Sequence, residues 1–306
     1  MRPLALASKE EDRKLKDNRR HKTLAASMFS IAATSLTACS AINTGTQISH
    51  SQQDGGTACL GDQSKSAKRR SIGIVPQFNA KTIWDQWKPL LGVVGREANI
   101  CFLIKTEASI PDFEEQIKKG RYDYVYMNPF HQALTKEHYE PIIRNGSSRL
   151  SGVIVAGKEA TITTLEEAEG KKLYLPAPNA FGASILTRQL VRKNGINVIP
   201  TYVRTHTNVY LAVANDKDAI GGMILSTLQR EDQRFAKGVK ILTQTEEHTP
   251  HPISSHKSIR KDEQMKVQSA FVALSKYPDL QKSLKAAQIS KPVPANYPKD
   301  YKHLEQ

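Results

Sequence analysis

Apolar residues recur along this chain in two periods, and their alternation lays out the elements. Ser71-Ile72-Gly73-Ile74-Val75 is a short apolar run that reads as a strand, with Pro76-Gln77-Phe78-Asn79 as the loop at its C-terminal end. Ile83, Trp87, Leu90, Leu91 and Val94 follow at helical spacing, and Pro89 inside that pattern predicts a kink or a break. Residues 99–104 read as a second strand and residues 111–119 as a helix with acids at its start and lysines at its end. Residues 122–127 read as a third strand, followed by Asn128-Pro129 and another helix. Tyr122, Tyr124 and Tyr126 alternate, and a period of two puts them on one face.

A second run begins near Leu150. Its predicted strands are residues 152–156, 173–175, 197–203, 218–222 and 239–243, with a helix through Val209 and Val213. Helices around residues 265–274 and 279–287 close the chain. Strands alternating with helices predict doubly wound, parallel α/β sheets, whose ligands sit at the C-terminal ends of strands. The loops at Gln77 and Asn128 then belong to one rim. No internal repeat is visible.

The stretch from Lys172 to His206 carries the candidate chemistry. An apolar strand enters a turn marked by Pro176 and Pro178. A helix follows, with Ile185, Leu186 and Leu190 on one side and Arg188, Arg192 and Lys193 on the other. Asn179 is suited to cap it. Ala180, Gly182, Ala183 and Ser184 are small enough for a ligand to approach the backbone. The first amides of a helix lack internal partners and its dipole adds positive charge, which favours an anion. An ordinary βα turn explains the same residues, so the stretch alone does not decide.

Composition sharpens this. The chain has 306 residues, 39% hydrophobic and 24% charged, which suits a folded body of two domains. Its formal net charge is +14, of which residues 1–38 hold +4. The remaining +10 favours anionic partners. Of an oxyanion ligand, a lipid surface and nucleic acid, the last is the weakest, because the basic residues after the leader are scattered apart from Lys68-Arg69-Arg70 and no nucleic-acid motif is present. Residues 1–38 read as a signal peptide, with a polar, basic beginning and an apolar run over residues 24–36 too short to span a bilayer. The run ends in Leu36-Thr37-Ala38-Cys39, which resembles the lipobox of bacterial lipoproteins and makes Cys39 the lipidated first residue; a plain signal peptide is the alternative. Ser40, where an aspartate would retain a lipoprotein in the inner membrane, favours the outer membrane. Residues 39–70 read as a polar tether. Cys59 and Cys101 remain, either as a disulfide or with Cys101 a buried thiol.

Several pieces together resemble the phosphate/phosphite/phosphonate-binding family of periplasmic solute-binding proteins, which feed ABC transporters. They are Gly73-Ile74-Val75-Pro76, Trp84 through Leu90, Gly120 through Asp123 with Met127-Asn128-Pro129, Pro178 through Ser184, Thr205-His206 with Ala212-Val213-Ala214, Asp218 through Gly222, and Pro250-His251-Pro252. The resemblance covers about residues 71–284. It implies a type II periplasmic-binding-protein fold, with two doubly wound α/β lobes joined by a two-stranded hinge. Lobe 1 would take residues 71–150 and 245–306, and lobe 2 residues 151–244. It also implies a ligand site at Gln77, Phe78, Met127, Asn128, Asn179, Ala180, Phe181, Gly182, Ala183, Ser184, His206 and His251.

Departures matter. Ala180, Phe181 and Gly182 stand where phosphonate-binding members carry hydroxyls, and the carboxylate positions for an amino group fall near Leu225 and His251. The expectation is a monomeric, lipid-anchored binding protein for a small oxyanion, facing the periplasm or cell surface and delivering to an ABC permease. It needs no cofactor and does no catalysis. His248, His251 and His256 read as a rim loop rather than a metal site, and Ser184 with His206 lacks an orienting acid and a nucleophile elbow. An envelope lipoprotein that signals to a partner is the alternative; a metal-binding or hydrolytic protein is a weaker one. Cys39→Ser is expected to abolish lipid labelling and move the protein out of the detergent phase, and unchanged partitioning with intact labelling would refute anchoring at this residue.

Overall fold

Two mixed sheets carry the fold of the computed structural model, which describes residues 59–229 and 237–305. The predicted signal peptide and Cys39 lie outside the described residues. The first sheet has the order β1-β3-β2-β4-β11-β5-β12, comprising Leu60–Gly61, Ile100–Lys105, Lys68–Ile74, Tyr124–Tyr126, Ile253–His256, Tyr139–Asn145 and Pro292–Pro294. Strands β3, β2 and β4 are parallel, as the alternating pattern requires. The others run antiparallel to their neighbours, and β1, β5, β11 and β12 are additions that the sequence pattern did not reveal.

Helices α1 (Ala80–Ala98), α2 (Ile110–Lys118) and α3 (Pro129–Leu134) link the early strands. Each opens on a capping side chain: Asn79 accepts from the Thr82 amide, Ser109 from Asp112 and Asn128 from His131. Helix α1 runs through Pro89 without the expected break. Its apolar stripe is fully committed to the core, and Trp87, Leu90, Leu91 and Val94 are all buried. That burial outweighs the backbone bond a proline removes.

The second sheet has the order β10-β6-β9-β7-β8, comprising Val239–Gln244, Gly152–Gly157, Ala219–Ile224, Lys172–Leu175 and Ile199–Tyr202. Strands β7, β8 and β9 are parallel, while β6 and β10 are antiparallel. Strict alternation sorts β6 between two cores. Ile154 and Ala156 join Leu173, Leu175 and Val191 on one face. Val153 and Val155 join Val209, Val213 and Met223 on the other. Helix α4 (Thr187–Lys193) lies on the first face and α5 (His206–Asn215) on the second.

Gly221 and Gly222 sit inside β9, where a side chain would collide on either face. A Cβ on Gly221 would come within 2.6 Å of Val213, and one on Gly222 within 2.0 Å of the Ala183 carbonyl oxygen. Short helix α6 (Leu225–Leu228) follows β9; α7 (Lys261–Ala273), α8 (Gln281–Ala286) and α9 (Tyr297–Asp300) close the chain.

The chain passes between the sheets twice, after β5 and before β11. Leu150 and His248 pair in the two crossings, the Leu150 amide donating to the His248 carbonyl at 2.8 Å and the reverse bond measuring 2.7 Å. The Thr245 hydroxyl accepts from the Gly152 amide beside them at 2.8 Å.

Two expectations need correction. The ordered body begins before residue 71, because Leu60 is an apolar anchor in the core and Cys59 forms a disulfide with Cys101. The open choice over Cys101 therefore resolves to a disulfide, of the kind an oxidising envelope permits. Nor is Lys68-Arg69-Arg70 a linker. It forms the start of β2, where Arg70 grips Glu263 with two nitrogens at 2.8 and 3.0 Å and Lys68 reaches the same carboxylate at 2.9 Å. Burial raises the Glu263 carboxyl, but Arg70 and Lys68 outweigh it and hold the group below its usual range.

Gly222→Ala is expected to cost about 1–3 kcal/mol or more in urea unfolding, because backbone must move to admit the methyl group. Gly92→Ala in α1 meets only the flexible Arg96 guanidinium at 3.7 Å and should instead stabilise by up to about 1 kcal/mol. Equal effects of the two would refute the close seating of the helix on β9.

Candidate functional site

Strand direction assembles the rim of the site. Parallel strands β2 and β4 end at Ile74 and Tyr126, and β11 runs the other way, so its beginning lies at the same edge. Gln77, Asn128 and His251 are thereby brought together from three separate parts of the chain. The Gln77 side-chain nitrogen lies 3.0 Å from Nε2 of His251. With the amide donating, Nε2 of His251 accepts. The His251 ring stacks on Tyr126 at 5.4 Å, and Tyr126 in turn meets Trp87 at 4.8 Å. This aromatic ladder fixes the rim from beneath. Tyr122 does not share its face: it precedes β4 and stacks on Phe113 of α2 at 5.9 Å.

The opposing wall is the stretch after β7. Residues Phe181–Leu186 form a π-helix that continues into α4. The Ala180 carbonyl accepts from both Ser184 at 2.7 Å and Ile185 at 3.2 Å, which is the wide turn of that geometry. Gly152 and Gly222 let the carbonyls of Gly182 and Ala183 settle directly on the sheet. Arg188 ties the turn together, donating to the Ser184 carbonyl at 3.1 Å, the Pro178 carbonyl at 2.9 Å and the Tyr202 hydroxyl at 2.7 Å.

Asn179 does not cap this helix. Its side-chain nitrogen donates to both oxygens of Glu114 at 2.9 and 3.0 Å, and its carbonyl accepts from the Asn128 side chain at 3.1 Å. These bonds join the first sheet's helices to the second sheet's turn. Ala180, Phe181 and Ala183 are buried and belong to the same apolar cluster as the first sheet's core. Apolar residues standing where hydroxyls were expected explain this: their burial seals the two walls together. Ser184 is fully buried, and its hydroxyl has no hydrogen-bond partner among the described residues.

His206 opens α5 and is buried. Because α5 lies across the second sheet from the π-helix, His206 and Ser184 approach the same strand edge from opposite faces. Met127 is a core residue whose sulfur accepts from the Thr135 hydroxyl at 3.7 Å, and Phe78 packs partly buried against the core. The other histidines disperse. His248 meets Phe181 and His303, while His256 packs on His138 and Tyr139.

Sequence reasoning missed Glu114 and His131. Both lie on helix faces that pattern alone marks as packing. Glu114 is buried, with Lys118 at 2.6 Å and His131 Nε2 at 3.9 Å. Burial works to raise its carboxyl, but His131 when protonated, and Lys118 and Asn179 at any pH, outweigh that and hold it below the usual range. Burial pushes His131 down to about 4 against the pull of Glu114, so the imidazole is neutral at pH 7. Also unforeseen is a cavity of about 250 Å³ beside His251, between the two crossings and the segment around α8.

The family model described as "ABC transporter, phosphonate, periplasmic substrate-binding protein" matches residues 72–301. Solved structures share the fold at low identity. A binding-protein component of an ABC phosphonate transporter from Pseudomonas aeruginosa is 15% identical at a TM-score of 0.67, with 75% of this chain and 82% of that one covered. PhnD1 from Prochlorococcus marinus, in complex with methylphosphonate, is 11% identical at 0.68, covering 78% and 96%. A Xanthomonas citri protein bound to ATP is 16% identical at 0.61, again covering 78% and 96%. No curated protein matches the chain by sequence.

The His131 ionisation has a sign that can be tested. Its folded value lies below the ordinary 6.5, so the unfolded chain takes up the proton first and stability falls as pH drops from 6.5 toward 4. The loss through this group is about 3 kcal/mol. Urea unfolding of the parent should therefore steepen with acid relative to His131→Gln, and parallel pH profiles would refute a buried neutral imidazole.

Proposed function

Because this chain belongs to the periplasmic substrate-binding family of phosphonate-type ABC transporters, we propose that it is a lipid-anchored receptor that captures a small tetrahedral oxyanion and presents it to a permease. The family is a transport component and not an enzyme. The observation that carries the reading is the meeting of the two walls. Gln77 and His251 form one pair on the strand-end rim, and Asn128 reaches from that rim to the Asn179 carbonyl where the chain enters the π-helix. Separation of these contacts about the paired crossings would admit a ligand, and re-closure would hold it. Leu36-Thr37-Ala38-Cys39 supports the anchor.

The side-chain amides of Gln77 and Asn128 are neutral at any pH and suit an oxyanion across a wide range. The one carboxylate at the wall, Glu114, is already compensated by Lys118 and Asn179. An ammonium group brought there would be buried without a dedicated partner, at a cost. Phosphate, phosphite and methylphosphonate are therefore expected to bind better than aminoethylphosphonate.

Calorimetric titration of the four compounds checks this. Gln77→Ala and Asn128→Ala should each weaken the best anion by about 1.5–3 kcal/mol, the worth of a hydrogen bond to a charged group. Parent affinity in both variants would move the site elsewhere, and tightest binding of aminoethylphosphonate would overturn the anion preference.

A further inference from the structure

The cavity beside His251 adjoins the rim through that residue, and segments from both sheets line it. Arg149 comes from the first crossing and His251 from the second. Ser226 comes from the helix after β9, and Lys285, Gln288 and Ser290 from the chain's last third. The cavity is about 250 Å³, room for about eight water molecules. That exceeds what one tetrahedral oxyanion fills.

Its lining has a definite sign. Two cationic side chains, hydroxyls, amides and an imidazole face it, and no carboxylate does among the described residues. Glu247 lies in the adjoining open groove instead. Neither Arg149 nor Lys285 forms an ion pair with a described residue, although the chain pairs many of its other cations. Two like charges left facing one polar hollow raise the local potential and favour an anion there.

Gln288 joins the cavity to the rim. Its left-handed backbone, at φ 62°, is the ordinary close of helix α8, with the Gln288 amide donating to the Lys285 carbonyl at 3.2 Å and the Ile289 amide to the Leu284 carbonyl at 3.0 Å. Its side-chain nitrogen donates to the Ser226 hydroxyl at 3.0 Å, and its side-chain oxygen accepts from the Tyr126 hydroxyl at 3.4 Å. Tyr126 is also the ring beneath His251. The cavity wall is thus coupled through two contacts to the rim that the proposed oxyanion would occupy.

We propose that this cavity is a tail subsite for a second anionic group, so that the ligand is an organophosphonate or phosphate ester carrying a carboxylate, its tail held by Arg149 and Lys285. The inference rests on the oxyanion reading above and deepens it. An ammonium tail is repelled by the same two cations, and a bare oxyanion leaves the cavity to water.

Competitive calorimetry with methylphosphonate, phosphonoacetate and 3-phosphonopropionate on the intact folded protein tests it. At least one of the carboxylated compounds should bind about tenfold or more tighter than methylphosphonate, as two charge-assisted contacts permit. In the double variant Arg149→Gln/Lys285→Gln, that ratio should collapse toward one. Both side chains are solvent-exposed, and an unchanged urea midpoint verifies folding. Lys285→Glu should raise aminoethylphosphonate relative to the carboxylated compounds. Methylphosphonate binding with no advantage for a carboxylate overturns the tail subsite and leaves the oxyanion reading standing. An advantage that survives the double variant overturns the assignment to Arg149 and Lys285. Failure of all these compounds to bind overturns the tail subsite, and failure of phosphate and phosphite as well overturns the oxyanion reading.

Discussion

The seating of the π-helix on the second sheet is the constraint from which the rest follows. The carbonyls of Gly182 and Ala183 lie where side chains on Gly152 and Gly222 would otherwise stand. This close approach carries Ala180, Phe181 and Ala183 into the apolar cluster of the first sheet. Without the two glycines the helix would ride higher, and Asn179 could not meet both Glu114 and Asn128. A wide helical turn is an uncommon solution, and it appears where backbone must be placed for reasons other than its own stability.

Polar contacts give the apolar contact its register. Burial is non-directional, so Phe181 against the first sheet's core fixes neither rotation nor depth. The Asn179 side chain, bound at once to two carboxylate oxygens, has little freedom left. Glu114 bears its charge in a buried place because Lys118 and Asn179 compensate it, while His131 escapes the same cost by staying neutral. A similar arrangement holds β2 to α7, where Arg70 and Lys68 share Glu263. In both places a buried carboxylate joins elements far apart in sequence, and removing one partner would leave a charge stranded.

The two proposed parts of the site differ in the same way. The rim of Gln77, Asn128 and His251 is polar and would suit the proposed oxyanion. The cavity beside the crossings is lined by Arg149 and Lys285 and would suit the proposed anionic tail. Tyr126, stacked on His251 and bonded to Gln288, touches both.

Much of this was written in local pattern. The parallel strands β2, β3 and β4 and helices α1 and α2 follow from period and capping residues within a few positions. The parallel core β7, β8 and β9 follows likewise, because each element's signal lies within its own length. That Gln77 and Asn128 share one rim was recoverable because parallel strands present their C-terminal loops on one edge. What sequence could not decide depends on residues meeting from afar. Pro89 left α1 whole because packing outweighed a local rule. Asn179 abandoned its capping role because Glu114, 65 residues earlier, offered a stronger acceptor. Leu60 and Cys59 belong to the body because β3 and Cys101 receive them. The cavity of Arg149 and Lys285 exists only once both crossings and the chain's last third converge. Local propensity acts within a turn or a strand; burial and charge compensation act between surfaces, and only the folded chain brings those surfaces together.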